Sequence, residues 1–570
     1  MNAEERRLAI AWVLLAGLVV IAFGLGLHSD FTYDDKVEVL GNQTVRAAED
    51  WRSIFSYNWS RPLVLASYAV NYQQSGMDPF GYHLVDLGLQ IANAGLALLV
   101  VTELLRLSGH SNPIPVAFFA AGFWAVHPLA TESVVYVTGR SEQLLGFFAL
   151  YGLWLWTRWL RIGGGLLFTG AWLAVIAAGL CKESAAVLPV AYLAIDFLLR
   201  PSDSKRPSRW AVLLPGVALL GAFLGLRWFL EGSIGHPNPQ RDMVTQVLTQ
   251  VEVFWRYVSL SVLPSGQSIF HDYPEASFGL RPLLAGIALL LVSLYAWRKK
   301  YSDPIPVIGF FFFLLFLAPT FFVPLKETMA EHRTYLSLLG ASVLVSYGLS
   351  AFEPAVHRRA GVGLLLLLLG SSILRTQTWQ SEVSLWADAA AKAPESAEAH
   401  YGHGEAQFYA AANFEMTETE RENLDPIAAY KKAVDLDATY LAAWNKLGIS
   451  HAQRGENLAA IGAWQALLSL DKEHCKAHTN LGKTFVTMGQ TMEGLRELES
   501  AVAYCPNHPP PHYFLGLLYQ DHLDDPDKAI FHFQRLLGLD PDFGCPFGKT
   551  IEGQMCVAEE IRSRLNSLTW

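Results

Sequence analysis

Residues 31–36 of this chain read Phe31-Thr32-Tyr33-Asp34-Asp35-Lys36, and the two adjacent carboxylates stand just after a hydrophobic stretch from Leu8 to Leu27. Aspartate is a poor helix former and is costly near hydrocarbon unless it has partners or work to do. A carboxylate held at such a boundary can take a proton from an attacking hydroxyl, and two side by side can instead hold Mg2+ or Mn2+ through oxygen ligands. For an isolated Asp-Asp pair the plain alternative is a solvated turn. Companion polar residues punctuate the apolar sequence downstream: Arg61-Pro62, His83, His127-Pro128 with Glu132, Arg140 with Glu142, Lys182-Glu183, His271-Asp272 and Glu331-His332-Arg333. Cations among them suit a developing negative charge, and the planar fork of Arg333 can grip phosphate with two N–H groups at once. A membrane-interface ion pair is the plain reading of each cation alone. No His-x-x-x-His spacing joins His83, His127 and His332, which therefore read as holding loops or contacting oxygens rather than a metal.

The elements that must position these residues follow from composition. With 570 residues, 52% of them hydrophobic and 16% charged, the chain is too long and too apolar for one soluble domain. A formal charge of -10, with no basic stripe interleaved with aromatics, argues against a nucleic-acid partner. Apolar runs recur up to about residue 376 and then stop. Lys and Arg mark cytoplasmic turns. Arg6-Arg7 places the N-terminus in the cytoplasm, and with no small-x-small cleavage site after it the first segment reads as a retained anchor. Spans near 8–27, 83–105, 113–127, 142–160, 164–180, 184–200, 210–229, 281–298, 304–323, 335–352 and 360–376, about eleven, satisfy all the basic markers. Residues 246–264 are expected to lie along the outer surface or in a cavity. With this topology the polar motifs emerge on one face, as expected of a water-filled cavity holding a polar substrate.

From about Pro394 the chain repeats at intervals of roughly 34 residues, the period of a tetratricopeptide helix pair. Leu447-Gly448, Leu481-Gly482 and Leu515-Gly516 occupy the same place in successive units, and a lengthened earlier unit carries an insert around 413–423. The expected architecture is all-α: residues 1–378 form a membrane-embedded polytopic helix bundle, and 379–570 an extracytoplasmic soluble α-solenoid of about four repeats with a capping helix at 550–568. Such arrays bind peptides or proteins in a concave groove or serve as spacers. Cys475 opens and Cys505 closes one helix pair, while Cys545 and Cys556 flank the exit of the array. Two disulfides would suit an oxidising compartment, and buried thiols are the alternative.

Taken in order, Phe31-Thr32-Tyr33-Asp34-Asp35, Arg61-Pro62-Leu63, Gly81-Tyr82-His83-Leu84, Val126-His127-Pro128 through Glu132, Gly139-Arg140-Ser141-Glu142, Cys181-Lys182-Glu183-Ser184 and Glu331-His332-Arg333-Thr334-Tyr335-Leu336 resemble the glycosyltransferase C superfamily. Within it they are most similar to the group that joins transmembrane helices to tetratricopeptide repeats, the O-mannosyltransferase-like group. About four repeats is fewer than the long eukaryotic members have. The resemblance implies transfer of a sugar, mannose in that group, from a polyprenyl-phosphate carrier to a Ser or Thr hydroxyl of an exported protein. A lipid-linked donor needs no nucleotide-binding domain, and no Gly-rich phosphate loop occurs in the chain. By the same resemblance Asp35 is the expected general base with inversion at the anomeric carbon, Asp34 its acceptor-binding or metal-binding neighbour, though the sequence alone does not separate the two. Arg333, Lys182, Arg140, His332 and Glu331 are expected at the donor phosphate and sugar. Glu132, Glu183, Arg61, His83, His127 and Asp272 are expected to position acceptor or loops. Transfer to a lipid or envelope polysaccharide keeps the same chemistry, and a non-enzymatic scaffold assembling partners through the repeats is a third reading.

Overall fold

The structure, a computed structural model, describes residues 2–46, 51–200, 209–231, 241–411, 421–544 and 556–568. Among them every regular element is a helix, and the chain divides into two compact units, Met1–Lys392 and Ala393–Trp570.

In the first unit each of the eleven expected apolar stretches falls on a helix, from Ala3–Phe23 to Pro354–Thr378. Proline opens the helices Pro62–Ser75, Pro79–Leu107, Pro113–Ala125, Pro304–Phe322 and Pro354–Thr378, at the position where its missing N–H costs nothing. Among the described residues, five helices are long and apolar enough to cross a membrane: Ala3–His28, Pro79–Leu107, Leu280–Lys299, Pro304–Phe322 and Pro354–Thr378. A sixth span arises if Pro113–Ala125 and Pro128–Val135, bent by 52° at their junction, are counted as one. The bend falls at His127-Pro128, where proline cannot continue the ladder and His127 Nδ1 accepts the Leu129 N–H at 3.1 Å. Close approach of Pro304–Phe322 and Ser337–Leu349 depends on glycine: a Cβ at Gly340 would lie 2.2 Å from the Gly309 carbonyl oxygen.

The segment expected to lie outside the spans forms a helix, Met243–Val262, capped by the Asp242 carboxylate on the N–H groups of Val244 and Thr245. One face of it holds an irregular segment by side-chain bonds to backbone. Gln250 donates to the Thr328 carbonyl at 2.7 Å, and the Tyr257 hydroxyl both donates to the Ala330 carbonyl and accepts the Ala330 N–H. Arg241, just before the helix, donates to the Lys326 carbonyl at 3.0 Å. These bonds satisfy backbone groups that have no helix or sheet of their own, and they fix the approach to Glu331-His332-Arg333.

The second unit is a series of antiparallel helix pairs, Ala397–Ala411 with Pro426–Leu436, Leu441–Gln453 with Asn457–Leu470, Cys475–Thr487 with Thr491–Tyr504, and Pro509–Asp521 with Pro526–Leu539, followed by Val557–Leu568. The recurring glycine has a single physical cause. A Cβ at Gly448 would lie 2.5 Å from the Trp464 ring, and one at Gly404, Gly482 or Gly516 would collide with Tyr430, Leu498 or Phe533 of the partner helix. Cys475 and Cys505 form a disulfide, with Cα atoms 6.1 Å apart. Cys545 and most of the insert around 413–423 lie outside the described residues.

Candidate active site

The loop after the first helix separates the two aspartates. Tyr33 has φ 49°, a left-handed conformation costly for an aromatic residue, and it turns the backbone immediately before the pair. Asp35 points inward and is 0% exposed. Its Oδ1 accepts the Thr138 backbone N–H at 2.7 Å and the Thr138 hydroxyl at 2.6 Å, and its Oδ2 accepts the Thr32 N–H at 3.1 Å. Burial pushes its carboxyl up to about 7, against the opposing pull of those three donors. Asp34 is exposed, with its N–H donated to the Tyr136 hydroxyl at 3.1 Å. Partial desolvation raises the Asp34 carboxyl from its ordinary value; Glu327 adds to the rise, while Tyr136, His332 and Lys326 oppose it. Phe31 packs edge-on against Tyr82, and the Asp30 N–H donates to the Gln380 carbonyl at 3.1 Å, so both ends of the loop are tied down.

Facing Asp34 is the turn Glu331–Thr334. Glu331 is buried and accepts from Gln267 at 3.0 Å and from the Ser268 N–H at 2.7 Å, with His271 Nε2 2.9 Å away. Burial would raise its carboxyl, yet His271, Arg375 and the Ser268 N–H together hold it below the usual range. Glu331 thus staples the 267–271 loop to the turn, leaving Asp272 exposed next to His271. His332 is held by Glu132, whose oxygens meet the His332 N–H at 3.0 Å and Nδ1 at 2.6 Å. Arg333 donates to the Glu327 carbonyl at 3.0 Å and to its carboxylate at 3.3 Å. The exposed Lys326 completes a cationic edge within electrostatic reach of Asp34.

The other sequence-selected residues divide into two sets. Lys182 donates to Glu142 at 2.5 Å and Arg61 to Glu183 at 3.1 Å, and Arg61 also feels Glu142 and Glu38. Glu38 in turn feels Asp34, so the Lys182 and Arg61 pairs form a second polar edge running back to the aspartate loop. The second set is structural. Arg140 is fully buried and spends its guanidinium on Asp86 at 2.5 Å and on the carbonyls of Tyr82 and Ser67, between the Tyr68 and Tyr82 rings. His83 Nε2 lies 3.0 Å from the Ser29 carbonyl and His127 Nε2 3.2 Å from that of Ser261, which fixes both rings as donors between segments. Sequence motifs missed Asp86, Thr138, Tyr136, Lys326 and Glu327. Asp86 was detectable as a carboxylate inside an apolar run, which demands a partner.

Asp34 and Asp35 do not fit a shared divalent ion. The Asp35 oxygens already accept three protein hydrogen bonds, and among the described residues no three His, Cys, Asp or Glu side chains converge as a metal-ion shell.

No family model matches the chain. It is 25% identical over 421 residues to a Caenorhabditis elegans protein named protein O-mannosyl-transferase, covering 69% of this chain and 59% of that one. Against human protein O-mannosyl-transferase TMTC1 identity is 23% over 516 residues, covering 77% and 56%. Against Drosophila melanogaster protein O-mannosyl-transferase Tmtc1 it is 32% over 194 residues, covering 30% and 21%. The chain therefore spans less than two thirds of the length of the curated relatives it matches. Among solved structures, MamA aligns with 28% of this chain and 87% of its own at 22% identity and a TM-score of 0.24. YrrB, described as a TPR protein with an unusual peptide-binding site, aligns with 31% and 83% at 18% identity and the same TM-score. Scores this low carry no argument. Across most of its length, the chain resembles the transmembrane and tetratricopeptide-repeat-containing, O-mannosyltransferase-like group of the glycosyltransferase C superfamily.

Proposed function

We propose that this protein is a membrane glycosyltransferase that moves a sugar, mannose by the names of its relatives, from a polyprenyl-phosphate carrier to Ser or Thr hydroxyls of exported proteins. The observation that carries this reading is the division of labour within the aspartate pair. Asp35 is spent on holding the loop, whereas Asp34 stands exposed within electrostatic reach of Lys326 and His332, with Arg333 following His332 in the same turn. A carboxylate whose proton affinity is raised by partial desolvation is a better general base than a fully solvated one.

In the transfer, the acceptor oxygen attacks the anomeric carbon while Asp34 takes its proton. The new bond joins that oxygen and carbon. The bond from the carbon to the carrier phosphate oxygen breaks, its electron pair leaves with the lipid phosphate, and configuration inverts. Arg333 and Lys326 supply positive charge for the departing phosphate, and His332, oriented by Glu132, contacts sugar or phosphate oxygens. Lys182 and Arg61 line the second edge, where Glu142 and Glu183 hold them for the acceptor backbone. The repeats bind or present the acceptor on the extracytoplasmic side, with the N-terminus in the cytoplasm. The Cys475–Cys505 disulfide supports an oxidising compartment for them.

The test is mass spectrometry of exported glycoproteins from cells carrying wild type or Asp34→Asn. Loss of hexose from Ser and Thr in the variant is expected. A change confined to lipid or envelope polysaccharide would reassign the acceptor, and no change anywhere would leave a scaffold.

A further inference from the structure

The helix Glu382–Lys392 follows directly on the last apolar helix, yet its side chains reach both halves of the candidate site. Toward the aspartate loop, Glu382 forms an ion pair with Lys36, and Trp386 meets the Tyr33 ring edge-on at 6.0 Å. These two contacts grip the residues on either side of Asp34-Asp35, one of them the strained Tyr33. Toward the facing turn, Lys392 donates to the Gln267 carbonyl at 2.5 Å, and the Gln267 amide donates to Glu331 at 3.0 Å. Asp388 accepts from Arg375 at 2.8 Å, and Arg375 lies within electrostatic reach of Glu331. Arg375 is itself buried, and its Nε and Nη2 have no hydrogen-bond partner among the described residues. Eleven residues are too few for a helix to persist in water on its own, so this one is ordered by what it grips.

We infer that Glu382–Lys392 is a clasp that sets the Asp34 loop against the Glu331-His332-Arg333 turn, with Glu382 and Trp386 as positioning residues for proton transfer; this rests on reading Asp34 as the base. The two loops are joined through roughly 300 residues of chain, and residues 132–138 register them from one side only, through Glu132 on His332 and Thr138 on Asp35. Base and leaving-group contacts must nonetheless be registered closely, because a displacement of about 1 Å costs up to ~100-fold in rate. A left-handed Tyr33 also persists only where its surroundings over-determine it. The Trp386 contact supplies that hold on one side, and Tyr136, at 6.5 Å between rings, supplies it on the other.

The experiment uses the full chain in lipid vesicles with a radiolabelled polyprenyl-phosphate mannose and a Ser/Thr peptide. Glu382→Gln and Trp386→Ala are expected to lower kcat about tenfold while changing the donor KM by less than about twofold, the split that marks lost positioning rather than lost binding. Lys36→Glu alone is expected to be equally impaired, and the charge-reversed pair Lys36→Glu with Glu382→Lys to recover most of the loss. Wild-type kcat in both Glu382→Gln and Trp386→Ala would overturn the clasp, and beside an inactive Asp34→Asn it would leave the assignment of the base standing. Wild-type kcat in Asp34→Asn would overturn that assignment and the clasp's role in proton transfer with it.

Discussion

Asp35 and Thr138 are joined by two hydrogen bonds to one carboxylate oxygen, which pins the aspartate loop to the turn before Arg140. Asparagine at position 35 can keep those two bonds but must then turn its NH2 group toward the Thr32 N–H. Asp35→Asn should therefore destabilise the fold by ~1–3 kcal/mol, the cost of a buried donor left without an acceptor. A thermal unfolding curve in detergent checks this, and an unchanged midpoint would contradict it.

The pH dependence follows from the same pair. The Asp35 carboxyl is raised to about 7 in the fold, above its unfolded value of ~4. Its contribution to stability is thus full below pH ~4 and is lost as pH rises through about 7. The unfolding midpoint should fall between about pH 4 and 7 in wild type, level off above that, and fall less in Asp35→Asn. Asp34 is also raised. Transfer needs it ionised, so the acid limb of the kcat profile should lie above the ordinary carboxylate range, and a limb at pH ~4 would count against it as base.

Arg140 and Arg333 should fail in different ways. Arg140 forms a fully buried pair with Asp86, and truncating one partner of such a pair costs ~3–5 kcal/mol. Arg140→Ala should lose folded protein. Arg333→Ala, at a half-buried turn, should retain the fold while kcat/KM for the lipid donor drops about tenfold or more. Expression level and unfolding midpoint, read beside donor kinetics, separate the two.

In the repeats, Gly448→Val should destabilise the second unit by ~1–3 kcal/mol through overpacking against Trp464. Gly462→Ala, in the middle of Asn457–Leu470 with open space around its Cβ position, should stabilise it by up to ~1 kcal/mol. Limited proteolysis of the full chain during a thermal ramp reports both.

What could be read in the sequence had a local cause. Apolar runs and prolines mark the helices of the first unit, and the glycine recurring every 34 residues marks the partner side chain it must admit. The roles of the charged residues had no such marker. Arg140 is consumed by Asp86, 54 positions away, and Asp35 parts from Asp34 through its bonds to Thr138, 103 positions away. Helix Glu382–Lys392 lies beyond the last apolar run, so composition groups it with the soluble part, whereas its side chains engage the aspartate loop and the 267–271 loop. Pairings of this kind are set by tertiary packing, and neither residue type nor period encodes them.

The most direct test is single-turnover transfer from polyprenyl-phosphate mannose to a Ser/Thr peptide by the reconstituted protein, comparing Asp34→Asn with Asp35→Asn at equal amounts of folded protein. Asp34→Asn should slow the chemical step by ~100-fold or more with donor binding intact, the loss expected for a general base, while folded Asp35→Asn keeps within about tenfold of wild type. Near-normal transfer by Asp34→Asn, with Asp35→Asn inactive, would contradict the assignment.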